Sequence, residues 1–562
     1  MYSLPGAVTD DSAVVLVRTD AEASVVVEYG TDPTFSSVTA TGAQGTTTGG
    51  GLATKFALSS LTPNAQHYYR VKVDGVVQAA TGAFRTAPIP GTPHSFTFAA
   101  SGDADTGSTH AAFAQVKATN PAFFLHVGDL HYENIGTDDL PAFRDAYADS
   151  LGVPQQNALY RSCGFVYTWD DHDFGANNSD GSSASRPAAR AAYREQVPHY
   201  PVPTGPIYHA FTWGRVRFVA LDMRSERDHG ASPPTTLGST QLAWLKDEIT
   251  AASESDRIVC IVSPVPYIIE ATPGPGEGWY AFGEEREDLA NHLQAAGMNR
   301  RTFILSSDWH VLAIDDGSGT RWATDPLPTL GPPNFSTGPL DRSEFNNLAA
   351  WSHGYRGPSN GQGHYATLQI TDEGGPSIEV KYRGYYVAAN GSASTLWHSF
   401  TCTLYTEEPP ETEPEEGMNI QFVDVVSGDV AVTATSSASP TTLHDGLSVP
   451  AAVGDVLEVS LGFTAAASSR FLRLNAVTVD DLGAHVNMVG PGTLGVRAWA
   501  PTASASVGGE GGGDQHYIVQ SGDIRGDGTV KVRLIGWLDA AGSRTVHANA
   551  SVPLHFAVEN RG

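Results

Sequence analysis

Over the first ninety residues apolar and polar positions alternate in short runs, and the period then lengthens. SAVVLVRT (12–19), ASVVVEYG (23–30), ATKFALSS (53–60) and YYRVKVDG (68–75) read as strands separated by Gly, Thr and Asp turns. That spacing predicts a small antiparallel β-sandwich over 1–90, closed by the Pro-rich joint APIPGTP (87–93). From 94 to 405 apolar strands alternate with amphipathic helices. Expected strands are SFTFAAS, AFFLHVGD, CGFVYTWDD, VRFVALDMR, RIVCIVSP and RTFILSSD. Expected helices include 239–253, with Leu242, Trp244, Leu245 and Ile249 on one face, and 285–296, stopped by Gly297. Strands followed by helices imply a layered α/β core, in which ligands bind beyond the carboxyl ends of the strands. The run TEEPPETEPEEG (406–417) is acidic, rich in Pro and lacks apolar residues, so it is expected to be an extended linker. Residues 418–562 alternate again between Gly-rich turns and predict an all-β unit, a sandwich or jelly roll.

Composition supports this division and narrows the function. A chain of 562 residues exceeds one hydrophobic core, and 41% hydrophobic with 17% charged residues is an ordinary globular balance. A formal net charge of −28 argues against a broad electrostatic grip on nucleic acid, so any phosphate handled here needs local cations such as bound metals. The three cysteines, Cys163, Cys260 and Cys402, are too scattered for a disulfide framework or a thiolate zinc site. No apolar run approaches the ~20 residues needed to cross a bilayer. The start, MYSLPGAVTDDSA, shows no signal-peptide pattern, so an extracellular or particle-associated location implies renumbering from a new Met or another export route.

Four strand ends carry the candidate chemistry: Asp103 in ASGDAD; Asp129 and Tyr132 in HVGDLHYEN; Asp171, His172 and Asn177 in TWDDHDFGANN; and Asp308 and His310 in SSDWHV. A single Gly-Asp after a strand is commonly just a turn. Several carboxylates converging on one sheet edge repel one another unless cations neutralise them.

The order and spelling of these segments resemble the calcineurin-like metallophosphoesterases, and more closely the PhoD-like alkaline phosphatases with their phospholipase D relatives. GDLHY, WDDHDFGANN, ALDMRSER (220–227), LGSTQLAWLKDEI (237–249) and SSDWHV carry the resemblance, which spans about residues 1–405. LTPNAQHYYRV (61–71) also resembles the E–F corner of fibronectin type III domains, with His67 in place of the usual Tyr. The resemblance implies that Asp129 bridges two metals, that Asp103, Tyr132 and His310 complete one site, and that Asp171 and Asp308 serve the other. Phenolate with carboxylates suits Fe³⁺, and a carboxylate-rich site suits Ca²⁺, or else Mn²⁺, Mg²⁺ or Zn²⁺. His172 would then protonate the leaving oxygen, while two metals about 3.5–4 Å apart hold the attacking hydroxide. The expected reaction is hydrolysis of phosphoric monoesters, with diester or phospholipase D-like hydrolysis as the alternative. Departures from the family pattern are Ser101-Gly102-Asp103 where many members have a Cys, Ser307 in place of Gly, and IVSPVPY (261–267) without the metal-ligating His that purple acid phosphatases carry before the last motif; all three bear on metal identity.

Other residues read less sharply. His131 touches substrate or fills space with equal weight, and His126 is expected to pack in the core. Asn177 is favoured as a phosphate-oxygen ligand over a simple turn residue. Arg224 is expected to neutralise Asp222. A rival reading from another class is a surface- or particle-anchored binding protein that oligomerises through 418–562.

Overall fold

The computed structural model describes residues 1–406 apart from 256, 269–277, 325–329, 344–350, 360, 389–390 and 392. Beyond 406 it describes the backbone of twelve strands between 419 and 561. Residue contacts divide the chain into two compact units, Met1–Glu408 and Pro409–Gly562. The acidic run expected as a linker, 406–417, lies outside the described residues except for Thr406.

Two large sheets organise the first unit among the described residues. One has nine strands, running in space Ser394–Tyr405, Ser377–Val387, Gly363–Thr371, Phe96–Ser101, Phe123–Val127, Gly164–Thr168, Tyr2–Gly6, Ala13–Arg18 and Ala53–Leu58. The other has seven and is centred on the parallel strands Val216–Ala220, Ile258–Val262 and Thr302–Ser306. Their central parallel strands, such as Phe123–Val127, Ile258–Val262 and Thr302–Ser306, are buried along their whole length and read as largely apolar because they are covered on both faces. Within Phe123–Val127 the odd residues Phe123, Leu125 and Val127 face the shared core with Phe98, Phe218 and Val262. The even residue Phe124 faces the helical layer with Phe113, Tyr160 and Phe165. Edge-to-face rings at 5.3 Å, Phe98 on Phe218 and Phe123 on Phe218, tie the sheets together. The outer face of the seven-stranded sheet is covered by Gly238–Ser253 and Gly283–Ala295, which bring Leu245, Ile249, Leu289 and Leu293 into one cluster. Gly297 follows the second helix with φ +65°, the left-handed stop that a glycine supplies.

The hydrogen-bonded sheet crosses the Pro-rich joint. Tyr2–Gly6 pairs in parallel with Gly164–Thr168, so N-terminal strands extend the sheet that carries the polar strand ends. Ala23–Gly30, Gln66–Val73 and Val76–Arg85 form a separate antiparallel sheet, and Val25, Val27, Tyr69 and Phe84 bury their side chains in the shared core.

In the second unit one five-stranded antiparallel sheet runs Asp429–Thr435, Asn419–Val425, Val456–Thr464, Gly528–Gly536 and Val486–Val489. A second is built on His444–Ala451, Ala550–Arg561, Phe471–Val479 and Gln515–Tyr517, with Ile524–Arg525 also pairing to Phe471–Val479.

Candidate metal centre

Each candidate side chain lies just past the carboxyl end of a parallel strand. Asp103 follows Phe96–Ser101, Asp129 follows Phe123–Val127, Asp171 follows Gly164–Thr168, and Asp308 with His310 follows Thr302–Ser306. The chain turns sharply there: Asp103, Asp129, Asp308 and His310 have φ of +54°, +53°, +61° and +53°. This left-handed region is uncommon for residues with a side chain, and its recurrence here means that surrounding contacts enforce it. Gly128, at φ +90°, cannot be replaced cheaply, since a Cβ would stand 2.8 Å from the Asp170 Cβ.

The strand ends bring seven of these groups together. Asp103, Asp129 and His310 each offer an atom within 4.8 Å of the others; so do Asp129, Asp171 and His172, and so do Asp170, Asp171 and Asp308. Asp129 and Asp171 each belong to two of these sets. Tyr132 joins through its hydroxyl, 3.0 Å from His310 Nε2, and that nitrogen is 3.6 Å from Asp103 Oδ1. His172 Nε2 stands 3.8 Å from Asp171 and 4.0 Å from Asp129.

Other contacts hold this geometry. The carboxylate of Asp173 accepts from the backbone N–H groups of Leu130 (2.8 Å), His131 (3.1 Å) and Asp170 (3.2 Å), joining two of the loops. Ser307 donates its hydroxyl to Asp103. The fully buried Arg224 guanidinium pairs with Asp170 and lies 3.6 Å from Asp171. Asp222 instead accepts from the Trp169 indole (2.9 Å) and from the backbone N–H groups of Arg224 and Ser225.

Electrostatics separate the carboxyls. Burial, reinforced by neighbouring carboxylates, pushes Asp103 and Asp129 well above the usual range. Burial acts on Asp171 in the same direction, but Arg224, His172 and the Asn178 N–H outweigh it and hold Asp171 below that range. Burial and the facing carboxylates of Asp129 and Asp103 raise the Tyr132 phenol. The donor set fits hard metal ions. Asp103 Oδ1, Asp170 Oδ2 and Asp171 Oδ1 are buried carboxylate oxygens that accept no hydrogen bond, a costly arrangement that cations relieve.

Two expected residues stand apart. His131 is 0% exposed, packs edge-on to Tyr147 at 5.6 Å and sits in the aromatic layer, so the structure does not bring it to the cluster. Burial lowers its pKa to about 3. Asn177 is exposed and donates its side-chain amide to Asn178, whose N–H reaches Asp171 at 2.6 Å. Asp170, Asp173, Ser307 and Asn134 were not singled out from the sequence. The Asp-Asp and Asp-x-Asp spelling of TWDDHD was the signal for the first two, and Ser307 was noted only as a departure.

Parallel strands between helical layers, ending in a buried carboxylate, imidazole and phenol cluster, define a metal-dependent phosphoric ester hydrolase. The chain belongs to the PhoD-like phosphatase family, whose model matches residues 96–393, more than half of the chain. The model of the PhoD-like phosphatase N-terminal domain matches residues 4–88. Among solved structures, PhoD is similar in fold, with TM-score 0.60 and 18% identity over 78% of this chain and 92% of that one. The purple acid phosphatase PPD1 from yellow lupin (Lupinus luteus) seeds is similar with TM-score 0.50 and 14% identity over 71% and 74%. No curated protein matches the chain. No helix among the described residues is long and apolar enough to cross a membrane.

Proposed function

We propose that the chain hydrolyses phosphoric monoesters of broad range at a two-metal centre. The observation that carries this reading is the convergence of five aspartates, Tyr132 and His310, with buried carboxylate oxygens that accept no hydrogen bond. Asp129 is read as shared between two metals, with Asp103, Tyr132 and His310 on one side and Asp171 and Asp308 on the other. Fe³⁺ on the phenol side and Ca²⁺, or Mn²⁺, Mg²⁺ or Zn²⁺, on the carboxylate side suit those donors. Bound there, the metals supply an acidified water and a clamp for the phosphoryl oxygens.

His172 is assigned the proton donor to the leaving oxygen, supported by the approach of Nε2 to within 4.0 Å of both Asp129 and Asp171. Asn177, exposed and linked to Asp171 through Asn178, is assigned a phosphate oxygen. The domain bounds 1–90, 94–405, 406–417 and 418–562 belong to the same reading. So do an extracellular or surface location and anchoring or oligomerisation through 418–562. A monomer by solution scattering with no surface affinity overturns the anchoring.

Elemental analysis of the purified protein, with hydrolysis of p-nitrophenyl phosphate and bis(p-nitrophenyl) phosphate with and without chelator, tests the assignment. Two metals per chain and chelator-sensitive turnover favouring the monoester are expected. Faster diester turnover moves the activity to phosphodiesterase or phospholipase D-like chemistry. Absence of both metal and turnover after reconstitution ends the catalytic reading.

A further inference from the structure

We propose that Asn134 is the positioning residue for His172, selecting its tautomer and aiming Nε2 at the carboxylate cluster. This rests on the reading of His172 as proton donor. The Asn134 side-chain NH₂ donates to the backbone carbonyl of Tyr132 at 3.0 Å. A carbonyl only accepts, so the orientation of the amide is settled and Oδ1 is the atom turned to His172. That oxygen lies 2.7 Å from His172 Nδ1. An amide oxygen also only accepts, so Nδ1 carries a hydrogen whatever the charge of the ring. Nε2 is therefore the ring nitrogen without a fixed hydrogen, and it is the one turned to the cluster. At 3.8 Å and 4.0 Å neither Asp171 nor Asp129 takes a direct hydrogen bond from it.

Two further contacts fix where the ring sits. Tyr132 packs against it in a tilted pair, 4.2 Å between centroids and 40° between planes, and the His172 backbone N–H donates to Asp129 at 3.3 Å. Neither selects a tautomer; the Asn134 amide does. Asn134 has φ +53°, a left-handed conformation that Asn tolerates better than most residues. Following Tyr132 by two positions, it lets one short loop present a phenol to His310 and an amide to His172.

The test is a series of phosphomonoesters with leaving groups from p-nitrophenol to simple alkanols, run on wild type, Asn134→Gly, Asn134→Asp and His172→Ala, with metal content measured for each. Glycine removes the amide and accepts the positive φ; aspartate keeps an acceptor facing Nδ1. A correctly placed acid matters most where the leaving group is poor. Asn134→Gly is expected to lower kcat about 10–100-fold on alkyl esters and within about threefold on p-nitrophenyl phosphate. His172→Ala should steepen the same dependence further, and Asn134→Asp should restore most of the alkyl rate, all with unchanged metal content. An equal loss on every ester in Asn134→Gly, or no recovery in Asn134→Asp, overturns the role of Asn134 while leaving that of His172. A flat leaving-group dependence or lost metal in His172→Ala overturns the proton-donor reading, and the Asn134 role falls with it.

Discussion

Asp171 and Asp103 are buried to almost the same degree, at 2% and 1% exposure, yet their carboxyls shift in opposite directions. Asp171 shares its side of the cluster with Asp170, Asp308 and the guanidinium of Arg224. Asp103 has a serine hydroxyl, a raised phenol and a half-buried imidazole, and no fixed cation pairs with it among the contacts described. Burial alone therefore does not set the charge of a buried carboxylate; the partner does. The Arg224 side has part of its negative charge balanced by the protein itself. On the Asp103 side the nearest cation shown is the Arg342 guanidinium, 4.0 Å over the Tyr132 ring.

Changes at the cluster should separate the halves. Asp129 belongs to sets on both sides, so Asp129→Asn is expected to remove metal and turnover together, a loss of about 10³-fold or more in kcat/KM, or about 4 kcal/mol. An undiminished rate sinks the shared-ligand assignment. Removing the guanidinium with Arg224→Met leaves Asp170 and Asp171 buried without their cation. Chemical denaturation of the metal-free protein should show about 3–5 kcal/mol less stability. A loss below about 1 kcal/mol would mean that the halves are electrostatically alike.

Acid should also act on the fold, away from the cluster. His209 is buried on the edge strand His209–Trp213, opposite Ala220, and burial lowers its pKa to about 4 from an ordinary value near 6.5. Its unfolded form binds a proton first, so stability falls as pH drops from about 6.5 to 4 and levels off below, by roughly 3 kcal/mol for this group. Denaturation midpoints measured across that window check this, with His209→Gln flattening the slope. The smallest effect is expected from Ser307→Gly, which takes one hydroxyl from Asp103. Metal affinity should weaken about 10–100-fold on the Asp103 side only, read by competitive chelator titration. Equal weakening of both metals would erase the distinction between the halves.

Much of the site was legible because strand ends announce themselves. An apolar run closing on Gly-Asp, or on Asp followed by His, marked Asp103, Asp129, Asp171, Asp308 and His310, and the structure gathers all five. Helix 239–253 was legible from its apolar stripe and is observed as Gly238–Ser253. Partners separated by long stretches of chain were not legible. Arg224 was expected beside Asp222, two residues away; its guanidinium reaches Asp170, fifty-four residues back. His131 lies between two functional-looking positions, but the left-handed turn at Asp129 sends it into the aromatic layer. Nothing in HVGDLHYEN marked Asn134, whose importance arises only from a contact thirty-eight residues on.

The sequence by itself determined the kind of chemistry. Its periodicities dictate covered parallel strands, and carboxylates at the ends of such strands must gather where helices and loops meet the sheet edge. Only the tertiary structure decided in which direction each carboxyl is shifted, which nitrogen of His172 faces the cluster, and how the sheet runs across the Pro-rich joint. Those depend on distances of 3–4 Å between residues far apart in the chain, and both hydrogen bonding and Coulomb energy change steeply over that range.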